Sequence, residues 1–300
     1  MGFLYDVETA RIMRDDYTEP NNLFSLSNPL VINWPIIGTC LNKCMYCYGV
    51  DVKFIGCLHG KEEIDPVVLH LRKIAPLVIV ISGGEPFLHP NLRYIVTKIK
   101  EFSHVIIDTN GLLINRDDLY WLKSANAHIR ISLDSHIEAI NGSIRKSPFS
   151  NSTDRVLAVL RLSLEFGVPC TVQTVLTNKN LPFLMGFYDY LCNLRISNWR
   201  WLDVVGKPEL GEDNMKKFSY LKSVLEKNAF QENPIKIFYK NEEAVISNNI
   251  ILVDPKGTFY FRPAGSIGKE VIDASAPRSP ALPMIMKRLD INSHINRYVN

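Results

Sequence analysis

A chain of 300 residues with 46% hydrophobic and 22% charged residues has globular composition and enough length for a sizeable buried core. Its formal net charge of +3 is small and its lysines and arginines are scattered, so nucleic acid is not expected as an obligatory partner. The longest apolar runs, such as residues 77–81, are too short to span a bilayer, and the N-terminus lacks the basic-then-apolar order of a secretory signal.

Along the chain, short apolar runs alternate with helical patterns between residues 30 and 230. Strands are expected at 30–34, 77–82, 104–108, 128–133, 171–176 and 199–205. Most are continuous apolar runs rather than in/out alternations, as parallel strands covered on both faces require. Helices are expected at 64–74, 90–102, 116–124, 152–166, 183–194 and 212–226, with Ser152 as an N-cap residue and Gly167 closing the fourth. Strand–helix repetition with right-handed crossovers gives an α/β fold, read here as a partial (β/α)6 parallel barrel, with a flat doubly wound sheet as the alternative. Residues 1–29 form an N-terminal extension and 30–230 the core. Residues 231–300 are expected to be a small C-terminal β/α extension, with β runs at 235–239, 250–253 and 258–262, a loop with three prolines at 275–283 and a last helix near 284–289.

Three of the six cysteines, Cys40, Cys44 and Cys47, lie within eight residues just after the first strand. This is not the pattern of a secreted disulfide framework; clustered thiols in a reducing cytosol usually hold metal. Thiolates suit zinc and iron–sulfur clusters alike. A structural zinc would need a fourth protein ligand, which Cys57 or His59 could supply, whereas a catalytic metal centre keeps one position open. Cys170 and Cys192 stand alone and read as small buried hydrophobes.

The spacing C-x3-C-x2-C with Tyr46 before the last cysteine resembles the signature of the radical S-adenosylmethionine (SAM) enzymes. The resemblance implies one [4Fe-4S] cluster on Cys40, Cys44 and Cys47, with SAM on the open iron, reductive cleavage of SAM and hydrogen abstraction from a substrate. It also implies an electron donor such as flavodoxin or ferredoxin. Further motifs at strand ends carry the resemblance over residues 30–205. Gly83-Gly84-Glu85 is similar to the family's GGE motif, which implies that the glycines and the Glu85 carboxylate hold the SAM amino group. Asp108-Thr109-Asn110-Gly111 is similar to segments that border SAM, although Asn-Gly is equally a turn dipeptide. Ser132 and Asp134 alternate with apolar neighbours, which puts both on one strand face, and the resemblance implies a place near the SAM ribose. Arg145 aligns with an arginine that pairs with the SAM carboxylate, and Val175 and Leu176 with residues that flank the adenine. Trp199 and Trp201 read as core, and Asp203 as a polar group near the substrate.

The stretch 251–265 resembles the first strand pair of the C-terminal extension in peptide and protein maturases. Arg262 and Pro263 stand where an auxiliary-cluster cysteine is usual, so no second cluster is expected there. The implied substrate is a peptide or protein first and a small molecule or nucleotide second. A zinc-stabilised binding module is the reading from another class.

Overall fold

The computed structural model describes residues 2–15, 26–47, 55–204, 221, 223, 235–240, 248–262 and 270–299. It opens with an antiparallel hairpin, β1 (Phe3–Asp6) and β2 (Arg11–Arg14). Sequence periodicity gave no hint of it.

The next strands are β3 (Val31–Ile37), β4 (Val78–Gly83), β5 (His104–Thr109), β6 (His128–Ser132), β7 (Cys170–Val175) and β8 (Asn198–Leu202). From β4 on, each pairs in parallel with the one before it. The connections carry α1 (Lys61–Ile74), α2 (Leu92–Ile99), α3 (Arg116–Ala125), α4 (Glu138–Arg145), α5 (Ser152–Phe166) and α6 (Leu184–Asn193). This is the expected α/β partial barrel. β3 runs past the expected stop at Trp34 because the register shifts between Pro35 and Ile37, a bulge that accommodates a residue with no N–H to donate.

Two departures bear on the site. Residues 138–145, EAINGSIR, form a helix although Asn-Gly argues against one; Asn141 bonds the backbone of Asp134 (3.0 Å) and the hydroxyl of Thr153 (3.0 Å), so tertiary contacts hold it. Ser152 is the first residue of α5 rather than its cap, and the Glu138 carboxylate takes the capping role by accepting from Thr153 N–H at 2.8 Å. Gly167 closes α5 in the left-handed conformation as expected.

The tail strands join the same sheet rather than standing apart from it. β9 (Lys236–Lys240) pairs in parallel with β8, and β10 (Ile251–Val253) pairs in parallel with β3 at the opposite edge. β11 (Phe259–Phe261) and β12 (Glu270–Val271) follow antiparallel. The boundary at residue 230 therefore does not separate two sheets. α7 (Leu282–Arg288) and an unexpected α8 (Ile291–Tyr298) end the described chain. Nearly all of the helix expected at 212–226 lies outside the described residues. Among the described residues, no helix is long and apolar enough to cross a membrane.

Alternation along the strands divides the core. Ile79, Ile81, Ile107, Ile129 and Ile131 face the helices, as do Trp199 and Trp201. Val31, Val78, Val80 and Ile106 point the other way, into a second cluster with Ile12 and Ile295. The hairpin and α8 thus cover the N-terminal ends of the strands. A parallel bridge links Ile12 to Val299, His128 Nδ1 lies 2.6 Å from the carbonyl of Val7, and Asn198 donates to the carbonyl of Glu8 at 2.9 Å. His294 accepts from Leu30 N–H at 3.0 Å. The opposite face, at the strands' C-terminal ends, carries the cysteine loop.

Candidate active site

A cavity of about 1490 Å³ occupies the barrel interior and reaches the C-terminal face. Cys40, Cys44 and Cys47, together with Tyr46, line it, and all three thiols are free. The loop that carries them is fixed at both of its sides. On one side, Met45 N–H bonds Ile144 O (3.0 Å) and Lys43 N–H bonds Lys146 O (3.3 Å), so the loop lies along the end of α4. On the other, Gly84 N–H bonds Ile37 O at 2.7 Å and Glu85 N–H bonds Thr39 O at 2.8 Å.

That second contact explains the glycine pair. A Cβ on Gly83, which has φ +130°, would stand 2.3 Å from Ile37 O; one on Gly84 would stand 2.0 Å from Thr39 O. The backbone that approaches so closely is the chain's own, where the sequence suggested a ligand. Gly83 and Gly84 nevertheless line the cavity too.

Glu85 turns its carboxylate into the protein. It has no exposed surface and its carboxylate is spent within the chain: Oε1 accepts from Thr109 Oγ1 (2.7 Å) and Phe87 N–H (3.1 Å), and Oε2 accepts from Asn110 N–H (2.7 Å). Burial pushes its pKa up against these bonds. It knots the end of β4 to the end of β5 and does not line the cavity. Thr109 and Asn110 do line it, and Asn110 also accepts from Leu112 N–H at 2.9 Å, as in a turn.

Ser132 lines the cavity but Asp134 does not. β6 ends at Ser132, so the alternation that put both on one face stops there. Asp134 is fully buried; Oδ2 accepts from Tyr46 Oη at 2.6 Å and Oδ1 accepts from Val175 N–H at 2.9 Å. Arg145, the last residue of α4, donates through Nη1 to Tyr46 Oη (2.7 Å) and to Asp134 Oδ2 (3.3 Å), and also lines the cavity. Leu176, expected beside an adenine, is fully buried in the helix-facing core, whereas Val175 lines the cavity.

The three thiols fit an iron–sulfur cluster in donor chemistry, since soft thiolates are its ligands and all three border one cavity. Burial pushes the Cys44 thiol up to about 11, partly offset by the Arg145 guanidinium; coordination to iron is what deprotonates such a thiol. Cys57 and His59, the candidate fourth zinc ligands, lie 3.7 Å apart (Sγ to Nδ1), and neither lines the cavity.

The model of the radical SAM superfamily matches residues 34–181. The chain belongs to that superfamily. An S-adenosylmethionine-dependent nucleotide dehydratase of Flammeovirga pacifica is 25% identical over 80% of this chain and 85% of its own length. The subtilosin biosynthesis protein AlbA of Bacillus subtilis is 26% identical over 63% of this chain and 43% of its own length. The chain spans about half the length of several such curated relatives. AdoMet-bound native anSMEcpe shares the fold, with a TM-score of 0.70 at 15% identity over 90% of this chain and 83% of that one. The superfamily match implies a [4Fe-4S] cluster and SAM as cofactors.

Sequence reasoning named Asp108, Ser132 and Asp203 but overlooked Arg130, Gln173 and Arg200 of the same wall. Arg130 engages Asp108 through Nε (2.5 Å) and Nη2 (2.8 Å), and Arg200 donates to Gln173 Oε1 at 2.9 Å. Asp108, Arg130, Ser132, Gln173 and Arg200 all line the cavity, as does Asp203, which accepts from Tyr239. The signal was available: these are period-2 polar positions in otherwise apolar parallel strands.

Proposed function

We propose that this protein cleaves SAM reductively at the mouth of the barrel and takes a hydrogen atom from a substrate held deeper in the same cavity. The observation that carries this reading is the shared wall: the three cysteines, Gly83, Gly84, Asn110 and Ser132 border one continuous space of about 1490 Å³. When bound, the cluster and SAM supply a 5'-deoxyadenosyl radical. The chain's own part is to place and shield it. Cys40, Cys44 and Cys47 would hold three irons and leave the fourth to SAM. Gly83 and Gly84 leave room beside the cysteine loop, and Glu85 and Asp134 brace the loops from behind without touching the cofactor. Thr109, Asn110, Ser132, Val175 and the Arg145 guanidinium would meet SAM from the wall.

Two substrate classes stand behind this reaction. A molecule small enough to lie inside the barrel is favoured, because β1, β2 and α8 cover the far end of the strands. The nucleotide dehydratase, most of whose length this chain matches, supports the same class. A peptide is the second reading, supported by the β10–β11 pair, similar to that of maturases, and by AlbA.

The test is anaerobic reconstitution with iron and sulfide, reduction, and addition of SAM. Formation of 5'-deoxyadenosine is expected, and alanine at Cys40, Cys44 or Cys47 should abolish it. A colourless protein with one tightly held zinc and no response to SAM would sink the reading.

A further inference from the structure

Away from the cysteine loop, the cavity wall sets a group of arginines among apolar residues. Arg11, Arg130, Arg200, Arg262 and Arg297 line it, against Asp108 and Asp203 as the acidic residues among the described lining. That asymmetry stands out in a chain whose whole formal charge is +3.

Arg11 is the key member. It sits on β2, in the hairpin under the barrel, and its guanidinium carbon lies 4.8 Å above the ring of Phe238. No described carboxylate forms an ion pair with it. Its cross-strand neighbour Asp6 turns its carboxylate to Glu8 N–H (2.9 Å) and Thr9 Oγ1 (2.5 Å) instead. Arg11 Nε is buried without a partner. A partly buried cation with no counter-charge is costly unless an anion joins it.

The neighbouring wall continues the pattern. Phe238 stands opposite Arg200 in the β8–β9 register, and Arg200 opposite Gln173 in the β7–β8 register. One strand further on, Asp108 holds Arg130 through Nε and Nη2, which orients the fork and leaves the Nη1 donors outside that pair. Guanidinium forks suit carboxylate and phosphate oxygens, which they bind in pairs.

We infer that the substrate is a small molecule bearing a carboxylate or phosphate, with that anionic end seated at Arg11 on the cavity floor and its polar body along Arg130, Gln173 and Arg200. This deepens the proposed function, because it rests on the substrate lying in this cavity below SAM. The arrangement sets the substrate's reacting end toward the mouth, where the radical forms, and its charged end away from it.

The test uses the reconstituted protein with SAM bound, in a low-salt buffer free of phosphate and carboxylate, and measures binding of inorganic pyrophosphate and of citrate by calorimetry. One or both should bind the wild type and weaken as sodium chloride rises. Arg11→Gln should bind roughly tenfold more weakly, while Arg72→Gln, at an exposed pair with Glu101, should match the wild type. Preference for pyrophosphate assigns a phosphate end, and preference for citrate a carboxylate end. Circular dichroism of Arg11→Gln checks that the hairpin change leaves the fold intact; if it does not, Arg200→Gln is read in its place. No binding of either anion, or equal binding by wild type and the variant, overturns the inference. So does stimulation of 5'-deoxyadenosine formation by a peptide fraction and not by an anionic small-molecule fraction. Failure to form any 5'-deoxyadenosine would instead overturn the radical reading, and the binding measurement would still decide the anion site.

Discussion

Tyr46 donates its phenolic hydrogen to Asp134 at 2.6 Å, which joins the cysteine loop to the end of β6. Arg145 adds bonds to both partners, and Val175 N–H holds the other carboxylate oxygen, so four segments meet at one buried acid. Tyr46→Phe should remove the bond and keep the ring, costing about 2 kcal/mol as the loss of a hydrogen bond to charged groups. Asp134→Asn should cost more, about 3–5 kcal/mol, because the Arg145 guanidinium is left buried without its counter-charge. Denaturant unfolding of the metal-free variants checks the order. If Tyr46→Phe proved the more damaging, the acid would not be the organising group.

Close backbone approach at Gly84 makes it sensitive to a single methyl group. Gly84→Ala would put a carbon 2.0 Å from Thr39 O and force the exits of β3 and β4 apart. A loss of about 2–3 kcal/mol is expected from overpacking, with weaker retention of iron. Gly142→Ala is the control: its nearest neighbour would be Glu138 Oε1 at 3.6 Å, and in a helix the change should gain up to about 1 kcal/mol. Thermal unfolding of the two variants should move in opposite directions.

Metal content separates the four cysteines near the mouth. Alanine at Cys40, Cys44 or Cys47 should strip iron from the reconstituted protein. Cys57→Ala should retain both iron and 5'-deoxyadenosine formation, because Cys57 bridges to Ile37 away from the cavity wall. Loss of iron on Cys57→Ala would show that the ligand set has been misassigned.

His128 couples the hairpin to pH. Burial lowers its pKa to about 4; the bond to the carbonyl of Val7 opposes the shift and Arg130 adds to it. The unfolded chain, with an ordinary value near 6.5, binds the proton first on acidification. The folded protein should therefore lose stability as pH falls from about 6.5 toward 4, by up to about 3 kcal/mol at this site, and should be unaffected above that window. His128→Asn should flatten that part of the stability–pH curve. An unchanged slope in the variant would place the pH dependence elsewhere.

Legibility followed the range of the interactions involved. The six central strands were readable because parallel strands buried on both faces leave continuous apolar runs, and five of the helices between them showed their own periodicity. α4 was not readable: Asn141 and Gly142 are poor helix formers, and the helix stands because Asn141 and Ile144 are buried against neighbouring segments. The hairpin of β1 and β2 depends on Ile12 meeting Val299 and on His128 meeting Val7, partners far away in the chain. β9 and β10 read correctly as short strands, but nothing local told which sheet edge each would join.

By itself the sequence determined that three thiols gather at the mouth, because three cysteines within eight residues lie on one loop whatever surrounds them. It also determined the parallel sheet, whose strand ends gather on a single face. Only the tertiary structure decided which polar groups face the cavity. Alternation assigns a face only while the strand lasts, and Glu85, Asp134 and Leu176 lie just beyond strand ends, where loop contacts turned them away from the cavity into the protein interior. Arg11 went the other way: an unremarkable arginine in a short hairpin became part of the cavity floor because the hairpin packs under the barrel.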